Sequence, residues 1–143
     1  MKNGFSLLEL LITITILVIM GMLTYPNYQN YLTRAHRLDG QTSLLLLANQ
    51  LELYYSAHHT YKTATIGAGL STDVLSHAET PEHWYALSIL KATDSSYLLQ
   101  ATPLRSQATN DRLCQSLRFN SNGTREIAAG PMGSPSGSME QCW

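Results

Sequence analysis

From Leu10 to Leu23 the chain carries no charge, and only Thr13, Thr15 and Gly21 in that stretch are not strongly apolar. A single carboxylate, Glu9, stands directly before it. A water-soluble helix does not expose such a run, and a membrane helix rarely keeps a charge without a partner. Any fold open to this chain must receive both. Counted from Phe5, the run comes close to the ~20 residues that span a bilayer. Lys2 precedes it, which sets that side toward the cytoplasm. No small-residue cleavage site follows the run. Leu23 leads instead into Tyr25-Pro26-Asn27-Tyr28, so this is not an ordinary cleaved secretory signal.

Past Pro26 the pattern becomes amphipathic. Leu44, Leu47, Ala48, Leu51 and Tyr55 recur at helical spacing and predict a buried stripe. The helix is expected from Phe5 to about Ser56, roughly 75–80 Å at ~1.5 Å per residue. A chain of 143 residues makes one compact domain plus an extension. Such a domain cannot bury that length. The first half belongs in a membrane or against other copies, and the second half packs on its own domain. Pro26 lacks an amide hydrogen and is the expected kink. Gly40 is a second weak point, about 1 kcal/mol worse than alanine.

Residues 58–82 lose periodicity and read as an irregular connector, with a short helix expected near Thr72–His77. Three strands follow. Trp84–Leu90 has Tyr85, Leu87 and Ile89 on one face. Tyr97–Thr102 follows the turn Asp94-Ser95-Ser96, and Ser116–Asn120 has Leu117 and Phe119 inward. Asn122-Gly123 is a turn into a short return near Arg125–Ile127. The expected fold is α+β: a long N-terminal helix packed on a small antiparallel sheet. Gly130–Ser138 shows neither helix nor strand pattern. Cys114 and Cys142 would be one disulfide in an exported chain and two thiols in a cytosolic one.

Signs of catalysis or cofactor binding are poor. His58 and His59 are adjacent, and His77 and His83 offer no metal spacing. No nucleophile motif, phosphate-binding glycine loop or C-x-x-C pair occurs. The expectation is no enzyme, no cofactor and no metal. Asn122-Gly123-Thr124 matches a glycosylation sequon, but a turn accounts for it. Net charge is −1, which gives no global attraction to nucleic acid or anionic membranes. Arg105, Arg112, Arg118 and Arg125 all lie in the last third, where Asp111, Glu126 and Glu140 offset most of their charge.

Gly4-Phe5-Ser6-Leu7-Leu8-Glu9, the apolar run and Pro26-Asn27-Tyr28-Gln29-Asn30-Tyr31 together resemble the type IV pilin family. The likeness is densest over residues 1–60 and returns at the cysteine pair. Val18 stands where many pilins have glycine, and Gly21 lies nearby instead. The resemblance implies a leader of residues 1–4, an assembly and membrane helix over 5–29, and a head over 30–143. It implies cleavage by a prepilin peptidase between Gly4 and Phe5 and methylation of the new Phe5 amino group. Glu9 would then pair with the Phe5 ammonium of a neighbouring subunit. A buried pair is tolerable where a lone charge costs several kcal/mol, so the pairing sets register.

The resemblance also implies a Cys114–Cys142 disulfide bounding the C-terminal region, and a residence in the inner membrane before export into an extracellular filament. The partners would be other pilin subunits, the peptidase and the assembly machinery. The short Cys-bounded region and Cys142-Trp143 resemble minor pilins more than the dominant subunit. Adhesion, twitching motility and DNA uptake are all functions of such filaments. The alternatives are a type II secretion pseudopilin and a DNA-receptor pilin, in which Arg105, Arg112, Arg118 and Arg125 would touch DNA.

Overall fold

The computed structural model describes residues 6–143 and, at residues 23, 24 and 26, the backbone alone. Its first element, α1, runs Leu7–His58 and passes through position 26 as continuous helix. The helix ends two residues beyond the expected Ser56. His59 adopts a left-handed φ of 56 while its N–H bonds the Tyr55 carbonyl at 2.8 Å, a common way to stop a helix. The chain divides into two units between Arg34 and Ala35, slightly past the boundary expected at 29/30.

In the first unit, every side chain from Leu7 to Met22 is exposed. The two hydroxyls in the run fold back on the helix. Thr13 Oγ1 donates to the Leu10 carbonyl at 2.8 Å, and Thr15 Oγ1 to Leu11 at 2.7 Å. Their polarity is satisfied within the helix, as an apolar surrounding requires.

The second unit is a helix on a sheet. Strands β3 (Tyr85–Ala92), β4 (Tyr97–Pro103), β5 (Ser116–Asn120) and β6 (Arg125–Ala128) pair antiparallel in chain order. Register places Leu87, Ala101, Leu117 and Ile127 in one row on the inner face. Leu44, Leu47, Ala48 and Leu51 of α1 join Tyr85, Leu99 and Leu117 in the core, as their spacing predicts. The outer face carries the row Ser88, Gln100, Arg118 and Glu126. The turn before β4 is held by Thr93, whose Oγ1 accepts from the Ser95 and Ser96 amides. A bulge at Leu90 lets β3 continue to Ala92 rather than stop there.

Three features depart from expectation. The helix expected near Thr72–His77 is instead a strand, β2 (Asp73–Leu75), in a parallel pair with β1 (Thr65–Ile66). The Asp73 carboxylate accepts from the Thr65 hydroxyl and from the Gly69 and Leu70 amides, and such local bonds compete with helix. A short helix absent from the sequence reading, α2, spans Arg105–Asn110, and a second, α3, spans Met139–Cys142. Gly40 is not a weak point in α1. A Cβ there would lie 2.9 Å from the ring of buried Tyr85, so the missing side chain makes room for it.

Both sheet edges meet other segments. Along β3, Leu87 N–H donates to the Ala78 carbonyl at 2.6 Å, and Thr80 N–H to the Tyr85 carbonyl at 2.9 Å. Along β6, the Trp143 indole N–H donates to the Glu126 carbonyl at 3.0 Å. Cys114 and Cys142 form a disulfide with Cα atoms 5.5 Å apart, and both are buried. For a loop of this size the chain-entropy gain is roughly 3–4 kcal/mol.

Candidate functional site

Two regions carry the functional expectations. One is the apolar start of α1. Glu9 lies on its exposed first turn, while Gly4 and Phe5, the expected cleavage and methylation positions, lie outside the described residues. Tyr25, Tyr28 and Tyr31 are also exposed, at 67%, 59% and 69%, as an interfacial or inter-helix contact requires.

The other region is the arginine set of the head. Arg105, Arg112 and Arg125 are exposed and Arg118 is half-buried. They do not form one face of the sheet. Arg118 sits in the outer row, where its Nε donates to Gln100 Oε1 at 2.7 Å. Arg125 lies opposite Phe119 in the inward-facing register. Its guanidinium stacks 5.4 Å from the Trp143 ring, which also neighbours Phe119. Trp143 thus packs against β5 and β6. Arg105 opens α2 with a left-handed φ of 51, and Arg112 lies beyond that helix, where its carbonyl holds Ser136.

A buried polar network had not been read from the sequence. Arg37 Nε and Nη2 grip both oxygens of Asp111 at 2.9 and 2.8 Å. Their side chains are 8% and 0% exposed. Gln107 Nε2 donates to the Tyr85 hydroxyl at 3.0 Å and to Asp111 Oδ2 at 3.2 Å. His36 stacks on Trp84 with centroids 3.8 Å apart and meets Gln107 at 3.3 Å. Asp111, expected as a surface charge diluting the arginines, is instead the buried partner of Arg37. One signal was available: Arg37 precedes Leu44 by two helical turns, on the core face of α1. A cation at a core position calls for a buried anion.

Tyr61 donates to Glu52 at 3.0 Å, and burial followed by that bond pushes its hydroxyl up to about 12. Burial pushes the Tyr85 and Tyr97 hydroxyls up as well. Asp73 and Asp94 are held below the usual carboxylate range, first by the hydroxyl of Thr65 and the ammonium of Lys62 respectively. Among the described residues, no three His, Cys, Asp or Glu side chains gather as a metal set.

Residues 26–118 match the family described as "Type IV minor pilin ComP, DNA uptake sequence receptor". The chain belongs to this family of minor pilins. Residues 1–25 match the prokaryotic N-terminal methylation motif. The fold of this minor pilin is similar to the crystal structure of the Neisseria meningitidis non-core minor pilin PilV. The TM-score is 0.52 at 22% identity, covering 76% of this chain and 98% of that one. Similar curated proteins are the type II secretion system core protein G of Escherichia coli (strain K12) and that of Dickeya chrysanthemi. Each is 29% identical, over 46% and 48% of this chain. The minor pilin spans about half the length of these curated relatives, 46% and 44%. The methylation motif and the exposed apolar helix fit membrane anchoring and pilus assembly.

Proposed function

We propose that this minor pilin waits in the inner membrane through residues 5–29 and is cut between Gly4 and Phe5. After methylation of Phe5 it is drawn into an extracellular filament, where its head receives DNA for uptake. The observation that carries this reading is the match of residues 26–118 to a family of DNA uptake sequence receptors. The exposed arginines Arg105, Arg112 and Arg125, with Arg118 held by Gln100, supply cations for phosphates or base edges. Glu9 sets the height of the subunit by pairing with a neighbour's Phe5 ammonium, and Pro26 is where the helix yields during extraction.

The test is duplex binding by the full-length chain in detergent, with random duplexes and duplexes enriched from a pool. Enriched duplexes should bind at least ~10-fold tighter, and log affinity should fall with log salt by about 0.9 per phosphate contacted. Absence of binding even at low salt sinks the receptor reading and leaves the minor pilin standing. Assembly is tested separately. Glu9→Ala should be absent from filaments, and Gly4→Leu should keep the unprocessed mobility on a gel.

A second reading is a type II secretion pseudopilin, which the curated relatives favour. Deleting the gene separates the two. Loss of DNA uptake with normal protein secretion supports the receptor, and the reverse supports the pseudopilin.

A further inference from the structure

We propose that the Arg37–Asp111 pair is a latch that docks both cysteine-bearing segments on α1 before any disulfide exists. The Cys114–Cys142 bond then locks a segment already in place. A single carboxylate and two α1 side chains reach both segments. Asp111 Oδ1 accepts the Cys114 backbone N–H at 3.3 Å while the same carboxylate is gripped by Arg37. Arg37 Nη1 also donates to the Gln141 carbonyl at 3.1 Å. One helical turn further on, Gln41 Nε2 donates to the Cys142 carbonyl at 2.6 Å.

The returning segment is prepared for this docking without help from sulfur. Ser138 and Gln141 form a capping box that closes α3 on itself. Ser136 and Gly137 donate their N–H groups to the Arg112 and Leu113 carbonyls at 3.2 and 2.8 Å. Gly137 is required there, since a Cβ would lie 2.6 Å from the Leu113 side chain. In an unlatched chain the two thiols meet only through loop closure. In the latched chain their Cα atoms already stand at bonding separation. Oxidation by a small-molecule disulfide then proceeds by two exchanges. A cysteine thiolate attacks the oxidant and expels one thiolate. The second cysteine thiolate attacks the mixed disulfide and expels the other. The protein loses two electrons and two thiol protons, and the oxidant becomes two thiols.

Two measurements on the full-length chain in micelles test this. The first is amide hydrogen exchange over residues 139–143 in C114S/C142S. Protection should stay within about tenfold of wild type and fall by at least ~100-fold when Asp111→Asn is added. Release of the segment in C114S/C142S, with β4 amides still protected, overturns the proposal. The second covers the case in which Asp111→Asn fails to fold. Reduced Arg37→Lys, which keeps a cation beside Asp111 but loses the fork that reaches both Asp111 and the Gln141 carbonyl, is reoxidised with oxidised glutathione. Disulfide formation should slow by about 3- to 10-fold as effective concentration drops. An unchanged rate overturns the proposal.

Discussion

At the scale of single residues, buried polar groups decide more than the apolar ones. Asp111 and Arg37 are tolerable only together. Asp111→Ala leaves a buried guanidinium unpaired and should destabilise the head by ~3–5 kcal/mol, read by urea unfolding. The Arg37→Met, Asp111→Leu double variant should recover much of that loss. Gly40→Ala tests a contest of effects. Helix propensity alone favours alanine by about 1 kcal/mol. The clash with the Tyr85 ring opposes it, and overpacking at ~1–3 kcal/mol should win, lowering the thermal midpoint.

The titrating residues give opposite limits. Tyr61, Tyr85 and Tyr97 ionise later in the folded head than the ordinary value of 10.0. Their contribution is whole below that value and disappears as pH rises through the folded ones, so stability should decline in alkali. Asp73 and Asp94 are depressed, so theirs is present above the ordinary 3.8 and is lost as pH falls through the folded values. Hydrogen exchange across pH should show residues 60–75 loosening in acid while β4 stays protected.

At the scale of elements, legibility follows from whether an element announces itself by apolar spacing. The core stripe of α1 and the strand Ser116–Asn120 do, and both stand as read. Helix α2 does not. Its buried residues are Gln107 and Ala108, and the polar one is held by Tyr85 and Asp111. A polar residue buried among distant partners leaves no periodic trace. The β1–β2 pair was hidden for another reason: it is two short strands joined by a few backbone bonds, with one carboxylate binding local N–H and O–H groups. At the N-terminal site, Gly4-Phe5, the Glu9 spacing, the apolar run and the spaced Pro26 together suggested the family. In the head, the sequence grouped four arginines; register puts Arg118 and Arg125 on opposite faces of the sheet, and Arg105 and Arg112 lie outside its strands.

At the scale of the whole molecule, the core of the described residues lies within Ala35–Trp143, and none of it comes from the exposed stretch Leu7–Met22 of α1. A chain lacking residues 1–34 should therefore fold and run as a monomer in light scattering without detergent. The full chain should need detergent or partners.

The covered stretches of the sheet edges bear on how two copies of this chain can meet. Ala78 and Thr80 occupy one margin and Trp143 meets the other. Strand addition, the usual route by which β-rich extracellular proteins stick to each other irreversibly, is obstructed at those positions. The exposed side chains along the apolar start of α1 offer another surface for contact. Such contacts form and break without unfolding the head.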